Sequence, residues 1–277
     1  MDKTYIKIRI GIPAEEQDTW VSELMELGCT GFLQEEEWVE AYKELEGQQE
    51  TLPTYWENLL GNAFRVEVQT IEEENWNKKW EESIEPRQIG TFYVHPTWNT
   101  GTVPEGCTSL VIDPKMAFGT GYHETTRLLL SILPDYIQEG DVVLDMGTGT
   151  GVLAVAALKC GAKEALGVDI DPWSFENASE NARLNNVEKR FEVRIGSVEA
   201  LQKDEMFDVI LANINRNILL DLGSSLHQRL KPGGWLLLSG LLHEDEEAIS
   251  CHESYADLNK VKVVSENEWI AIASKKV

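Results

Sequence analysis

Apolar and polar positions alternate over residues 4 to 10, TYIKIRI, which predicts a half-buried strand. EEQDTWVSELMELG follows, with Trp20, Leu24 and Leu27 at helical spacing and Gly28 as a stop, which predicts a helix. GFLQEEE and WVEAYKE predict two short strands, TYWENLLGN a second helix ending near Gly61, and AFRVEVQT another alternating strand. Residues 71–84, IEEENWNKKWEESI, set Trp76 and Trp80 one helical turn apart amid charge, the pattern of an amphipathic connecting helix. Beyond it TFYVHPTW and SLVIDP predict short strands. The series VVLDMG, VLAVAALKCGA, EALGVDI, DPWSFENASENARLNN, FEVRIG, FDVILANI, RNILLDLGSSLHQRL, WLLLSG then alternates strand and helix, and its strands are near-continuous apolar runs. That is the pattern of a parallel sheet buried on both faces. KVVSENEWIAIASKK ends the chain as two strands around a short turn, an antiparallel hairpin at the sheet edge.

The fold class that follows is α/β, a doubly wound, mostly parallel sheet, preceded by a small α+β unit. The βαββαβ order of residues 1–70 is that of a ferredoxin-like sandwich, a fold that hosts many functions and predicts none. Three parts are expected: 1–70 as the small domain, 71–84 as a linker helix, and 85–277 as the large domain.

Charge narrows the choice of partner. Twenty-four basic residues stand against 48 acidic ones, a formal net charge of −24, which repels phosphate backbones and attracts basic proteins. No direct nucleic-acid contact is expected. No stretch approaches the roughly 18 apolar residues of a membrane span, and the N-terminus lacks a signal-peptide pattern, so a cytoplasmic protein without membrane contact is expected. Cys29, Cys107, Cys160 and Cys251 lie far apart without metal-ligand spacing, so neither disulfides nor a metal site is expected, and the thiols are read as small buried hydrophobes.

LDMGTGTGVLAV carries the candidate chemistry. Asp145 closes a strand, and Gly147, Gly149 and Gly151 occupy alternate positions before a helix-forming run. Glycines let the backbone turn tightly and approach a ligand, while the helix start supplies free N–H groups. Asp169 ends the next strand, where a carboxylate can accept both hydroxyls of a ribose. A nucleoside site follows, with two cofactors in competition. Gly149, Gly151 and Ala154 also satisfy the dinucleotide fingerprint, which keeps NAD open. S-adenosylmethionine is favoured by Asp145, whose carboxylate suits a cationic amino-acid end and would sit badly beside a pyrophosphate. The single mononucleotide-sized half and the terminal hairpin favour it as well.

IDPKMAFGTGYHETT, LDMGTGTGVLAVAALK, GVDIDP and LANI, in this order, resemble the bacterial ribosomal protein L11 methyltransferases. The likeness spans most of the chain and implies a class I, Rossmann-like methyltransferase domain over 85–277 and a substrate-recognition domain over 1–70. It implies methyl transfer from S-adenosylmethionine to lysine side-chain and N-terminal amines of a basic large-subunit ribosomal protein; a monomer is expected. Carried over by motif, Thr126 would donate to the methionine carboxylate, Gly147 would admit the backbone to the cofactor, Asp169 would hold the ribose, and Ser197 would border the adenine. Asn213 would face the transferred methyl and the incoming amine, as the catalytic residue. AFGTGYHETT would form a lid with Phe118 packed on the cofactor and Gly119 and Gly121 as hinges. His123 is open to two roles, a base or a residue that orients backbone. Lys115, where the family usually has glycine, and Tyr122 depart from the pattern.

Two alternatives accompany this reading: a non-catalytic assembly factor that binds S-adenosylmethionine, and a nicotinamide-dependent oxidoreductase.

Overall fold

The computed structural model describes residues 4–35, 37–60, 65–72, 84–114 and 123–277. Two compact units divide the chain, Met1–Trp76 and Asn77–Val277.

In the first unit the alternation of strand β1 (Thr4–Gly11) points Ile6, Ile8 and Ile10 into a core with Leu24, Val39, Ala41 and Trp56. Helix α1 (Gln17–Glu26) supplies Leu24 and ends where Gly28 takes a φ of +88°, a left-handed turn that a Cβ would strain. Strands β2 (Gly31–Gln34) and β3 (Trp38–Glu44), helix α2 (Pro53–Leu59) and strand β4 (Val66–Glu72) complete the order βαββαβ. The sheet runs β2-β3-β1-β4, antiparallel throughout, which is the ferredoxin-like arrangement. Inside it Lys43 Nζ meets Glu50 Oε1 at 2.6 Å, both nearly without solvent contact. Burying either charge alone would be costly, and the pairing offsets part of that cost. The linker helix expected from residue 71 begins too early: Ile71 and Glu72 belong to β4, paired with Tyr5 and Thr4. Ile84 lies outside any helix, and residues 73–83, with Trp76 and Trp80, lie outside the described residues.

The second unit opens with a three-stranded sheet of β5 (Arg87–Ile89), β6 (Phe92–His95) and β7 (Thr108–Val111). β5 has three residues and no alternation to mark it in the sequence. Helix α3 (Glu124–Ile132) leads to the main series: β8 (Val142–Met146), α4 (Val152–Lys159), β9 (Glu164–Asp169), α5 (Pro172–Leu184), β10 (Phe191–Ile195) and β11 (Phe207–Asn213). It continues with α6 (Arg216–Arg229), β12 (Leu230–Leu242), α7 (Asp245–Cys251), β13 (Leu258–Glu266) and β14 (Trp269–Lys276).

Seven of these strands form one sheet in the order β10-β9-β8-β11-β12-β14-β13, parallel except at β14 and β13. The apolar runs follow from burial on both faces. In β8 Val143 faces one core and Leu144 the other, and in β11 Val209 and Leu211 alternate in the same way with Ile210 and Ala212. Helix α4 is buried from Val152 to Leu158, which explains an apolar run without helical periodicity. Strand order reverses between β8 and β11, so a crevice opens beyond their carboxyl ends, the place where open α/β sheets take ligands. The β13–β14 hairpin closes the edge where a second parallel half would have to continue.

The cysteines depart from expectation. Cys29 is buried, but Cys107 and Cys160 are half-buried and Cys251 is exposed, all four as free thiols. No helix among the described residues is long and apolar enough to cross a membrane, and no acid, histidine or cysteine cluster among them is placed to hold a metal ion.

Candidate functional site

Beyond Met146 the chain must leave β8 and enter α4 while passing over the end of β9. Gly147, Gly149 and Gly151 make this turn with φ values of +76°, +53° and +79°. The loop is fastened to β9: the N–H groups of Gly147 and Thr148 donate to the Val168 carbonyl at 2.8 and 3.1 Å. The Gly149 N–H donates to Asp169 Oδ2 at 2.9 Å, and Asp169 Oδ1 takes the Asp171 N–H at 3.0 Å. Asp169 is therefore held in one orientation, and each carboxylate oxygen keeps a lone pair for a further donor.

A cleft of ≈ 430 Å³ lies over this corner. Gly147, Gly149, Asp169, Ser197 and Asn213, all expected as site residues, line it together. Ile170, Ile214 and Ile218 add apolar wall, and the Gly196 N–H donates to the Asp169 carbonyl at 2.8 Å, which brings Ser197 to the rim. The combination suits a nucleoside: a flat apolar wall for a base, a fixed carboxylate for two hydroxyls, and bare main chain for close approach.

Two expected residues stand elsewhere. Asp145 does not face the cleft. It has 0% exposure, and its Oδ2 accepts from Thr148 Oγ1 at 2.8 Å and from the Ala154 N–H at 3.2 Å, so it braces the glycine loop and the first turn of α4 from beneath. The sequence puts an acid before the glycines, but the helix that follows folds back over it. Its other oxygen, Oδ1, has no hydrogen-bond partner among the described residues. Thr126 is also at 0% exposure, in the first turn of α3, and its hydroxyl accepts from Asn213 Nδ2 at 3.2 Å. It fixes the Asn213 amide instead of forming cleft wall. His123 caps α3, with Nδ1 2.9 Å from Thr125 Oγ1 and 3.4 Å from the Thr125 N–H, and its ring stands edge-on to Trp269. Phe118, Gly119 and Gly121, with Lys115 and Tyr122, lie outside the described residues.

Burial, offset in part by the bonds from Thr148 and Ala154, pushes the Asp145 carboxyl up to about 7. The unfolded chain releases this proton near 3.8, so the folded state carries the extra proton between those values. Stability then falls as pH rises from about 4 to about 7 and levels off above. Asp145→Asn has no proton to lose. Its unfolding free energy relative to the parent is expected to rise across that window by up to on the order of 4 kcal/mol. Urea unfolding of both proteins at pH 5 and pH 8 measures this, and a constant difference between them refutes the assignment.

Some cleft residues were missed in the sequence reading. Asn215 caps α6 by accepting the Ile218 N–H, and an asparagine just before a helical run was a readable signal. Ile214 carried none: it packs against Gly147, where an added Cβ would collide with Ile214 Cγ2.

The sequence model described as "Ribosomal protein L11 methyltransferase (PrmA)" matches residues 4–277. The chain belongs to the ribosomal protein L11 methyltransferase family. A relative of that name from Porphyromonas gingivalis is 39% identical over 92% of this chain and 89% of its own length. One from Pelobacter propionicus is 33% identical over 100% and 99%. Among solved structures, the ribosomal protein L11 methylase of Lactobacillus delbrueckii subsp. bulgaricus is similar with a TM-score of 0.64 and 30% identity, covering 70% of this chain and 100% of that one. Membership in this methyltransferase family, with the antiparallel hairpin at the sheet edge, removes the nicotinamide reading of the glycine loop.

Proposed function

We propose that this chain transfers methyl groups from S-adenosylmethionine to lysine side-chain and N-terminal amines of ribosomal protein L11. The observation that carries the reading is the convergence of Asp169, the Gly147 main chain and Asn213 on one cleft at the strand-order reversal. The residues present fit the cofactor. Asp169 has lone pairs for two ribose hydroxyls, Ile170 and Ser197 would border the adenine, and acidic surroundings suit a sulfonium. When bound, the cofactor supplies an electrophilic methyl group.

The work left to the protein is alignment, because a bound amine in line with the methyl reacts without further assistance. A lysine amine with a pKa of about 10.4 is mostly protonated at neutral pH and has no lone pair to offer. Enclosure against the apolar wall of Ile214 and Ile218 disfavours the charged form and lowers that value. Asn213 Nδ2 is committed to Thr126, which leaves Oδ1 as the acceptor that can orient a neutral amine. Residues 1–70 act as the recognition domain for the protein substrate. The net charge of −24 supports a basic partner and disfavours direct contact with nucleic acid. The enzyme acts as a monomer in the cytoplasm, where ribosomal proteins are made.

Incubation of the full chain with S-adenosylmethionine and unmethylated L11, followed by intact-mass analysis, is expected to show increments of one methylene each. Asn213→Ala is expected to slow them by roughly 100-fold, the scale of misplaced reactants, with little change in cofactor affinity. An unmodified L11 alongside retained cofactor binding would instead indicate a binding protein without transferase activity.

A further inference from the structure

Three buried asparagines follow one turn apart, Asn177 and Asn181 on helix α5 and Asn185 at its C-terminal cap. A primary amide offers a donor and an acceptor side by side, the pair that a peptide group offers to a neighbouring strand. Asn185 accepts the Val111 N–H at 3.0 Å and donates to the Val111 carbonyl at 2.6 Å. Asn181 accepts the Asp113 N–H at 3.0 Å and donates to the Asp113 carbonyl at 3.2 Å, where Asn177 also donates at 2.7 Å. The end of β7 and the residues after it are thus paired to a helix as if to a strand.

Asn181 makes one bond the others lack: its Nδ2 also donates to the carbonyl of Thr150, in the glycine loop, at 2.9 Å. The Thr150–Gly151 peptide is then held at both ends, because the Gly151 N–H donates to the Thr148 carbonyl at 2.8 Å. A planar amide cannot turn one end without the other. Its neighbours Gly149 and Gly151 both have positive φ, and glycine tolerates either sign, so loss of the Asn181 bond weakens the hold on this peptide's orientation. Such a turn would disturb Gly149, whose N–H reaches Asp169.

We propose that Asn181 is a positioning residue for the cofactor cleft: by holding the Thr150 carbonyl it keeps the glycine loop in the form that presents Gly147 and Gly149 to the ligand and anchors Asp169. The proposal rests on the reading that this cleft takes the nucleoside of S-adenosylmethionine. Asn181 has 0% exposure and does not line the cleft, so it acts through the loop. Asn185 is the natural control, with the same pairing to a strand residue and no bond to the loop.

Asn181→Asp keeps the size and the acceptor for the Asp113 N–H but turns an oxygen toward two carbonyls. It is expected to raise Kd for S-adenosylhomocysteine and KM for S-adenosylmethionine by roughly ten-fold or more, with kcat at saturation within about three-fold of the parent. Asn185→Asp is expected to lower Tm about as much as Asn181→Asp does while leaving Kd within about two-fold. A folded Asn181→Asp with parental Kd and KM, or an Asn185→Asp that raises Kd equally, overturns the proposal. Should Asn181→Asp fail to fold, amide exchange on Asn181→Ser decides: faster exchange at Gly149 and Gly151 with β9 unchanged supports it, and parental protection at both overturns it. A parent protein that does not bind S-adenosylhomocysteine would refute the cofactor reading instead, and the exchange measurement, which needs no ligand, still decides the role of Asn181.

Discussion

Asp169→Ala is expected to weaken binding of S-adenosylhomocysteine by at least roughly 100-fold, since hydrogen bonds to a charged group contribute about 1.5–3 kcal/mol each and two ribose hydroxyls lose their acceptor. The loss has a second origin inside the protein. Asp169 Oδ2 anchors the Gly149 N–H and Oδ1 the Asp171 N–H, so removal of the carboxylate also frees the glycine loop and the entry to α5. Asp169→Asn separates the two origins. Its amide nitrogen must face one of those two N–H groups, so it keeps one anchor and one acceptor, and an intermediate affinity is expected. Calorimetric titration of the three proteins checks the series, and an unchanged affinity in Asp169→Ala would remove this residue from the site.

The second large effect comes from a position outside the motifs. Gly240 in β12 has a φ of +80°, and a Cβ there would collide with the Ile214 carbonyl oxygen and lie 2.8 Å from its carbonyl carbon. These are backbone atoms and cannot rotate away. Ile214 is confined on its other side by Gly147, so the residue next to Asn213 is held between two glycines. Left-handed backbone costs an alanine roughly 1–2 kcal/mol, and displacement of residue 214 adds to it. Gly240→Ala is therefore expected to lose about 3 kcal/mol of stability. A shift of about 1 Å at Asn213 is enough to slow transfer by roughly 100-fold. Denaturant unfolding and the methylation rate measure the two effects, and a parental midpoint with a parental rate would contradict this account of the corner.

Much of this arrangement was legible along the chain, because it depends on local rules. Alternation located β1 and β4, continuous apolar runs located β8, β9 and β11, and a loop of glycines after a strand located the cleft. Asp169 was legible for the same reason: it terminates the strand next to the loop. What stayed hidden depends on contacts between residues far apart in sequence. Asn181 reads as an ordinary polar helix position until residue 113, 68 positions away, is found against it. Thr126 was read for a ligand contact, and its bond to Asn213, 87 positions on, carried no signal along the chain. Asp145 was expected to face a cation, and only the path of α4 over it shows that it is enclosed. The short α7, DEEAISC, carries too little apolar periodicity to stand out from a charged loop.

The central claim is that the corner between Gly147 and Asp169 receives the adenosine of S-adenosylmethionine. The most direct measurement is a crystal structure of the full chain grown with S-adenosylhomocysteine. The account predicts ribose hydroxyls within hydrogen-bond distance of both Asp169 oxygens and the ligand backbone against Gly147. Ligand bound at any other place on the chain, with this corner empty, would contradict it.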